Sequence, residues 1–247
     1  VRRLIVALIV TLSCATATHA EIKWEVVRVL PHDTKAFTQG LTVKGDHIYE
    51  TTGQIGASEL RIIRLSDGKI LRRQPMRSDV FGEGSTLWDD KVISLTWRHE
   101  TGFVWRRRDL KQISSFSYPG EGWGLTHDGT SLIMSDGTAQ LRFLDPESFK
   151  EKHRVTVSWQ SEPVRFLNEL EYVDGAVYAN IWYSPLIAKI DPESGEVSDF
   201  INLQPLVAEN AASKEGVLNG IAWDTKAKLL YVTGKNWPRI YAIRLLD

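Results

Sequence analysis

Glu83 is the residue whose setting most invites chemistry. It stands in Phe81-Gly82-Glu83-Gly84-Ser85-Thr86-Leu87, a single carboxylate between two glycines and just behind an aromatic ring. The segment runs on into Val92-Ile93-Ser94-Leu95-Thr96-Trp97. A carboxylate withdrawn from water favours its neutral form, so its pKa rises and it becomes able to exchange protons near neutral pH. Taken alone, the stretch also reads as a glycine-flanked glutamate in a surface turn. Recurrence weighs against that, because similar stretches return along the chain with a different polar or aromatic residue where Glu83 stands.

The equivalent positions are Gln39 in Phe37-Thr38-Gln39-Gly40-Leu41, Trp123 in Gly122-Trp123-Gly124-Leu125, Asn168 in Leu167-Asn168-Glu169-Leu170 and Asn219 in Leu218-Asn219-Gly220-Ile221. Thirteen or fourteen residues further on stand Thr52, Trp97, Asp136, Trp182 and Thr233, with Lys235 just beyond the last. If both sets converge, they frame a pocket with one glutamate, several amide groups and three tryptophans, and with an aspartate and a lysine at its edge. Aromatic walls with a few placed polar groups are what a small-molecule site requires. Register aims Trp97, Trp123 and Trp182 at the centre; Trp24, Trp88, Trp105, Trp159, Trp223 and Trp237 read as packing residues.

Other chemistries find little support. Cys14 is the sole cysteine and lies in an N-terminal segment expected to be removed, so the mature chain is expected to have no disulfide, thiol nucleophile or cysteine-bound metal. His19, His32, His47, His99, His127 and His153 show no metal-ligand spacing. Neither a Gly-x-Ser-x-Gly elbow nor a phosphate loop is present. Gly120-Glu121-Gly122-Trp123-Gly124 is superficially like a nucleotide loop, but no strand–helix context follows it. The acidic turns at Asp145 and Asp191 could hold Ca²⁺, although proline-containing hairpins rarely do.

The elements that would position these residues are strands. After residue 20 the chain consists of short alternating apolar runs separated by Gly, Asp, Asn and Pro, with room for a helical turn or two only between Leu206 and Lys214. Each repeat supplies an inner strand, a turn, a second apolar strand and a third. Near-duplicate turns, Asp145-Pro146-Glu147-Ser148 and Asp191-Pro192-Glu193-Ser194-Gly195, lead into a fourth. Self-similarity with a period of 40 to 50 residues, five times over, predicts an all-β, five-bladed β-propeller. The fifth unit lacks a fourth strand, and Lys23 to Leu30 forms an unassigned one ahead of the first repeat. Pairing the two closes the ring and removes bare edges. A β-sandwich is the rival architecture, but it has no need of five equivalent units.

Arg2-Arg3, the apolar run from Leu4 and the small-residue tail ending Thr18-His19-Ala20 have the three parts of a secretory signal peptide. Residues 1–20 are therefore expected to be removed, leaving 21–247 as a single exported domain, periplasmic or secreted. Lipid attachment at Cys14 is the alternative. The apolar run is too short to span a bilayer. The formal net charge of −1 becomes about −3 without Arg2 and Arg3, and Arg106-Arg107-Arg108 reads as a solvated strand face, so nucleic acid is not an expected partner. A monomer is expected.

The motifs Phe-Thr-Gln-Gly-Leu at 37–41, Phe-Gly-Glu-Gly at 81–84, Gly-Trp-Gly-Leu-Thr-His-Asp-Gly at 122–129, Asn-Glu-Leu-Glu-Tyr at 168–172, Ala-Asn-Ile-Trp at 179–182 and Leu-Asn-Gly-Ile-Ala-Trp-Asp at 218–224 together resemble the glutaminyl-peptide cyclotransferases of the plant and bacterial type. The resemblance runs from about Trp24 to Asp247. It implies a five-bladed propeller that converts the N-terminal glutamine of peptides or proteins to pyroglutamate and releases ammonia, without a cofactor or a catalytic metal. It further implies that Glu83 is the catalytic carboxylate. The substrate pocket would comprise Phe37, Gln39, Phe81, Trp97, Trp123, Asn168, Trp182 and Lys235, with Asp136 as an orienting group. Readings of another class remain: a non-catalytic propeller, or a Ca²⁺-dependent lactonase-like one, holding a peptide or small ligand in its funnel.

Overall fold

Alternating apolar and polar residues make each run two-faced, and glycine or aspartate turns fold it back on its neighbour. In the computed structural model, which describes residues 21–210 and 213–246, the result is five four-stranded antiparallel sheets and one short hairpin. The expected signal peptide, including Cys14, lies outside the described residues. From the axis outward, the first blade is Thr38–Lys44, His47–Thr52, Glu59–Arg64 and Ile70–Pro75. The second is Gly82–Trp88, Lys91–Thr96, Thr101–Arg106 and Lys111–Ser117, and the third is Leu125–His127, Leu132–Ser135, Gln140–Leu144 and Glu151–Thr156. The fourth is Leu167–Val173, Ala176–Ile181, Leu186–Ile190 and Val197–Asn202.

The fifth blade closes the ring as the repeat count requires. Leu218–Asp224, Leu229–Gly234 and Arg239–Leu246 receive Lys23–Pro31 as their outermost strand, in register from Lys23 opposite Leu246 to Pro31 opposite Arg239. Leu30, Leu41, Val43, Ile48 and Ile63 pack there with Ala222, Tyr231, Ile240 and Ala242, so one apolar core bridges the seam. A helix, Gln204–Asn210, links the fourth and fifth blades and buries Leu206. Among the described residues no helix is long and apolar enough to cross a membrane.

A buried polar clasp reinforces the seam. The His32 ring bonds the Trp237 carbonyl through Nδ1 and Glu50 through Nε2, each at 2.9 Å. Thr38 donates to the same Glu50 oxygen at 2.7 Å, and Arg61 reaches the other at 3.4 Å. Burial opposes both charges, but the pairing outweighs it: the His32 pKa is raised and that of Glu50 is lowered.

At the axis the inner strands meet backbone to backbone. A Cβ on Gly40 would lie 2.5 Å from the Ser85 amide nitrogen, one on Gly84 2.5 Å from the Trp123 carbonyl oxygen, and one on Gly124 2.0 Å from that of Asn168. Such distances exclude any side chain unless the strands part. The fourth blade places Glu169 where the others have glycine. Its carboxylate accepts the backbone N–H groups of Leu41 (3.1 Å) and Ile221 (2.7 Å), which ties three blades together. Gly84→Ala should therefore lower stability by about 3 kcal/mol, the upper end for overpacking a close-packed interior. Urea unfolding followed by circular dichroism would read this, and a midpoint like that of the wild type would refute the axial contact.

Candidate active site

In four of the five blades the register between the first two strands slips at the position singled out in the sequence. The shifts fall between Thr38 and Gly40, Gly82 and Ser85, Leu167 and Leu170, and Leu218 and Ile221. The residues in these bulges are Gln39, Glu83-Gly84, Asn168-Glu169 and Asn219-Gly220. A bulge inserts extra backbone and re-aims side chains, so the site residues are those that have left the ladder. In the third blade the inner strand begins only at Leu125, and Trp123 and Gly124 instead exchange hydrogen bonds with Ser135. A second set is fixed by one repeated contact: the amides of Gly53, Trp97, Trp182 and Lys235 donate to the carbonyls of Phe37, Phe81, Phe166 and Val217.

Together these residues enclose a cavity of about 240 Å³, lined by Phe37, Gln39, Phe81, Glu83, Trp97, Trp123, Asn168, Trp182 and Lys235, with Gln54, Tyr183 and Glu215. Phe81 meets Phe37 and Trp97 edge-on, with ring centroids 5.9 and 5.7 Å apart, and Trp123 meets Trp182 at 5.5 Å. Two rings rest on glycine: a Cβ on Gly53 would lie 2.3 Å from the Phe81 ring, and one on Gly137 2.6 Å from Trp123.

Glu83 is buried, and burial pushes its pKa well above the ordinary carboxylate range; the Lys235 charge works against that and the Glu121 charge adds to it. Gln39 Nε2 donates to Glu83 Oε1 at 2.9 Å, while Gln39 Oε1 accepts from Asn219 Nδ2 at 3.0 Å. The Asn219 amide thus turns the donor end of Gln39 toward the acid. Lys235 is buried as well, 4.7 Å over the Phe37 ring, and desolvation lowers its pKa. Asn168, which lines the same cavity, has its Oδ1 buried without a hydrogen-bond partner. Glu121 accepts the indole N–H groups of both Trp97 (2.7 Å) and Trp123 (2.9 Å) and pairs with Arg98. It thereby locks two walls of the cavity.

Nine of the ten expected site residues line this cavity, and Asp136 does not. Its carboxylate caps its own turn, accepting from the Thr138 amide (3.1 Å) and hydroxyl (2.5 Å), and stands 4.0 Å from the buried Arg142. Thr52 and Thr233 also stay out, their hydroxyls donating to Glu59 and Arg239 carbonyls within their own blades. In the fifth blade Lys235 takes the position that Trp97 and Trp182 hold. Glu83 is not the sole buried acid: Glu169 and Glu171 are buried too, and burial pushes Glu171 up to about 8. Neither lines this cavity. Gln54, Tyr183 and Glu215 are not among the expected site residues, and Glu121 enters the sequence reading only within the loop-like Gly120–Gly124 stretch; adjacency to the Trp123 and Trp182 motifs points to Glu121 and Tyr183, while Glu215 carries no sequence signal. Among the described residues, no three or more His, Cys, Asp or Glu side chains are grouped so as to hold a metal ion.

The glutamine cyclotransferase family profile matches residues 3–245. A glutaminyl-peptide cyclotransferase of Arabidopsis thaliana is 41% identical over 228 residues, which is 90% of this chain and 71% of the plant protein. The crystal structure of Myxococcus xanthus glutaminyl cyclase superposes with a TM-score of 0.84 at 34% identity, over 91% of this chain and 97% of that one. The β-propeller domain of Myceliophteria thermophila Cps50 (Swd1) covers 91% of the chain and is itself wholly covered, with a TM-score of 0.52 at 9% identity, a likeness of fold alone. By profile, identity and five-bladed architecture, the chain belongs to the glutamine cyclotransferase family.

Proposed function

We propose that this protein is a glutaminyl-peptide cyclotransferase acting on peptides or proteins that begin with glutamine, and that Glu83 moves the proton. The observation that most supports the role is a buried carboxylate at a cavity walled by Phe37, Phe81, Trp97, Trp123 and Trp182 and held by Gln39. The aromatic rings grip the aliphatic stem of the glutamine and fold it so that its α-amino nitrogen faces the γ-carboxamide carbon. Both reacting groups belong to one residue, so positioning supplies much of the acceleration. As the nitrogen attacks, its N–H proton passes to Glu83. The bond from the carbon to the amide nitrogen then breaks, and Glu83 returns the proton to the leaving NH₂, which departs as ammonia. The raised pKa suits both halves of this transfer. Asn168 Oδ1 accepts a substrate N–H, and the Lys235 ammonium stabilises the oxyanion that forms as the ring closes.

The signal-peptide pattern of residues 1–20 supports export to the periplasm or beyond, and the protein acts as a monomer. A mature N-terminus at Glu21, read by mass spectrometry from the native host, would bear out removal of that segment.

Ammonia release from a Gln-initiated dipeptide amide tests the chemistry. Glu83→Gln is expected to lower kcat by about 10²–10⁴, the usual worth of a positioned acid–base group; unchanged release would dismiss the mechanism. Asn168→Ala should raise KM about tenfold, as loss of one hydrogen bond to a charged or polar group does, and an unaltered KM would remove Asn168 from substrate binding. The pH profile carries a sign. Glu83 must be ionised to accept the proton, so kcat/KM falls as pH drops through its pKa. Lys235→Met removes a charge that lowers that pKa and should move the acidic limb to higher pH. Glu121→Gln removes one that raises it and should move the limb to lower pH. Shifts of the same sign in both variants would contradict the assignment of the limb to Glu83.

A further inference from the structure

The cavity of about 240 Å³ is smaller than the roughly 300–1,000 Å³ that encloses a drug-sized ligand. It has room for one residue. The α-amino group and side-chain amide of a glutamine must both turn inward toward Glu83, so the α-carbonyl and everything after it leave through the mouth. The lining tryptophans have different neighbours. The Arg98 guanidinium covers the Trp97 ring at 3.8 Å from its centroid and pairs with Glu121. Trp182 is flanked instead by aromatic rings: Tyr183 at 4.6 Å and Phe166 at 6.3 Å between centroids.

Tyr183 and Phe166 are 54% and 50% exposed, among the most solvent-accessible large apolar side chains of the described residues. Both hold left-handed backbone, φ 62° and 63°, and Gln54, a further lining residue, has φ 97°. Bulky residues avoid this region at a cost of about 1 kcal/mol or more, and such strain persists where the surroundings enforce it. Here the enforcement is visible: the Phe166 amide donates to Gly137 and its carbonyl accepts from Trp182, both at 2.9 Å. The backbone that carries Trp182 into the cavity thus turns its two neighbours outward beside the exit path.

We propose that Tyr183 and Phe166 form a subsite for the side chain that follows the N-terminal glutamine, selecting aromatic and large apolar second residues. The proposal rests on the cyclotransferase reading, since only a substrate seated by its first residue presents its second one there. The second side chain lies against the Tyr183 ring with Phe166 as a flank, while the charged Arg98 gives an apolar group no partner.

The test is a ratio of kcat/KM for Gln-Phe-amide over Gln-Gly-amide, followed by ammonia release. In the wild-type protein it should be about three- to tenfold, the gain expected of one well-placed aromatic contact. Tyr183→Asn and Phe166→Asn, combined, should bring the ratio close to one; asparagine tolerates left-handed backbone, and a thermal melt checks that the fold is kept. Tyr183→Trp should retain the preference. A wild-type ratio near one, or a ratio untouched in the double variant, overturns the subsite while leaving the cyclotransferase assignment intact. Absence of ammonia from either substrate with the wild-type protein overturns that assignment and the subsite with it.

Discussion

The contact on which the molecule depends is the one at its axis, where inner strands of neighbouring blades touch without intervening side chains. Gly40, Gly84 and Gly124 each abut the backbone of the next blade. Glu169 fills the remaining space and is held by amides of the first and fifth blades. This narrow waist explains why the residues just before these positions are so well placed. Once the backbone at 40, 84, 124 and 169 is pinned, Gln39, Glu83, Trp123 and Asn168 have one direction left to them, into the funnel. Bulges accomplish the turn in all but the third blade.

Burying acids near that waist divides them by use. Glu169 spends its oxygens on backbone N–H groups, and Glu171 accepts from the Trp223 amide at 2.8 Å; both act as structural ties. Glu83 accepts one side-chain hydrogen bond, from Gln39, and borders open space. It therefore keeps hydrogen-bonding capacity toward the cavity. Glu121 complements this arrangement from behind the indoles. Its carboxylate fixes two rings that a purely apolar pocket would leave free to turn, and its charge favours the protonated form of Glu83.

Much of this was legible because a propeller repeats. Five occurrences of one pattern fixed the blade count, the closing strand and the positions of Gln39, Glu83, Trp123 and Asn168. The failures have separate causes. The turn between the first two strands has two residues in the first, second and fourth blades but four, Thr225 to Lys228, in the fifth. A fixed advance therefore reached Trp97 and Trp182 but stopped at Thr233, short of Lys235; at Thr52 it stopped one residue short of Gly53, and in the third blade it reached Asp136, which a turn retains. The shared amide-to-carbonyl contact identifies Gly53 and Lys235 as the true counterparts in the first and fifth blades. Glu169 shows in the repeats as the residue standing where Gly40, Gly84, Gly124 and Gly220 recur, but its role does not, because the Leu41 and Ile221 amides that it binds come from other blades. Glu121 acts across blades, joining Trp97 to Trp123, and a relation between blades leaves no period in the chain.

Closure of the ring and completion of the site are one event. Gln39 comes from the first blade, while Asn219 and Lys235 come from the last, and the Asn219-to-Gln39 hydrogen bond crosses the seam. Around it the Asn236 amide donates to Ala36 at 2.7 Å, and His32 joins Trp237 to Glu50. Each of these contacts lies within a few residues of a cavity-lining side chain. A chain with four blades formed and the seam open would already hold Glu83, Trp97, Trp123 and Trp182. It would lack the amide that orients Gln39 and the charge that restrains the Glu83 pKa. Apolar packing across the seam supplies the driving force for joining the termini, since burying each large aliphatic side chain is worth about 1.5–3 kcal/mol. The polar contacts then fix register, because Glu50 buried without His32 and Arg61 would be an unpaired charge. Alignment of the acid with its orienting amide is thus set by the same interactions that hold the two ends of the chain together.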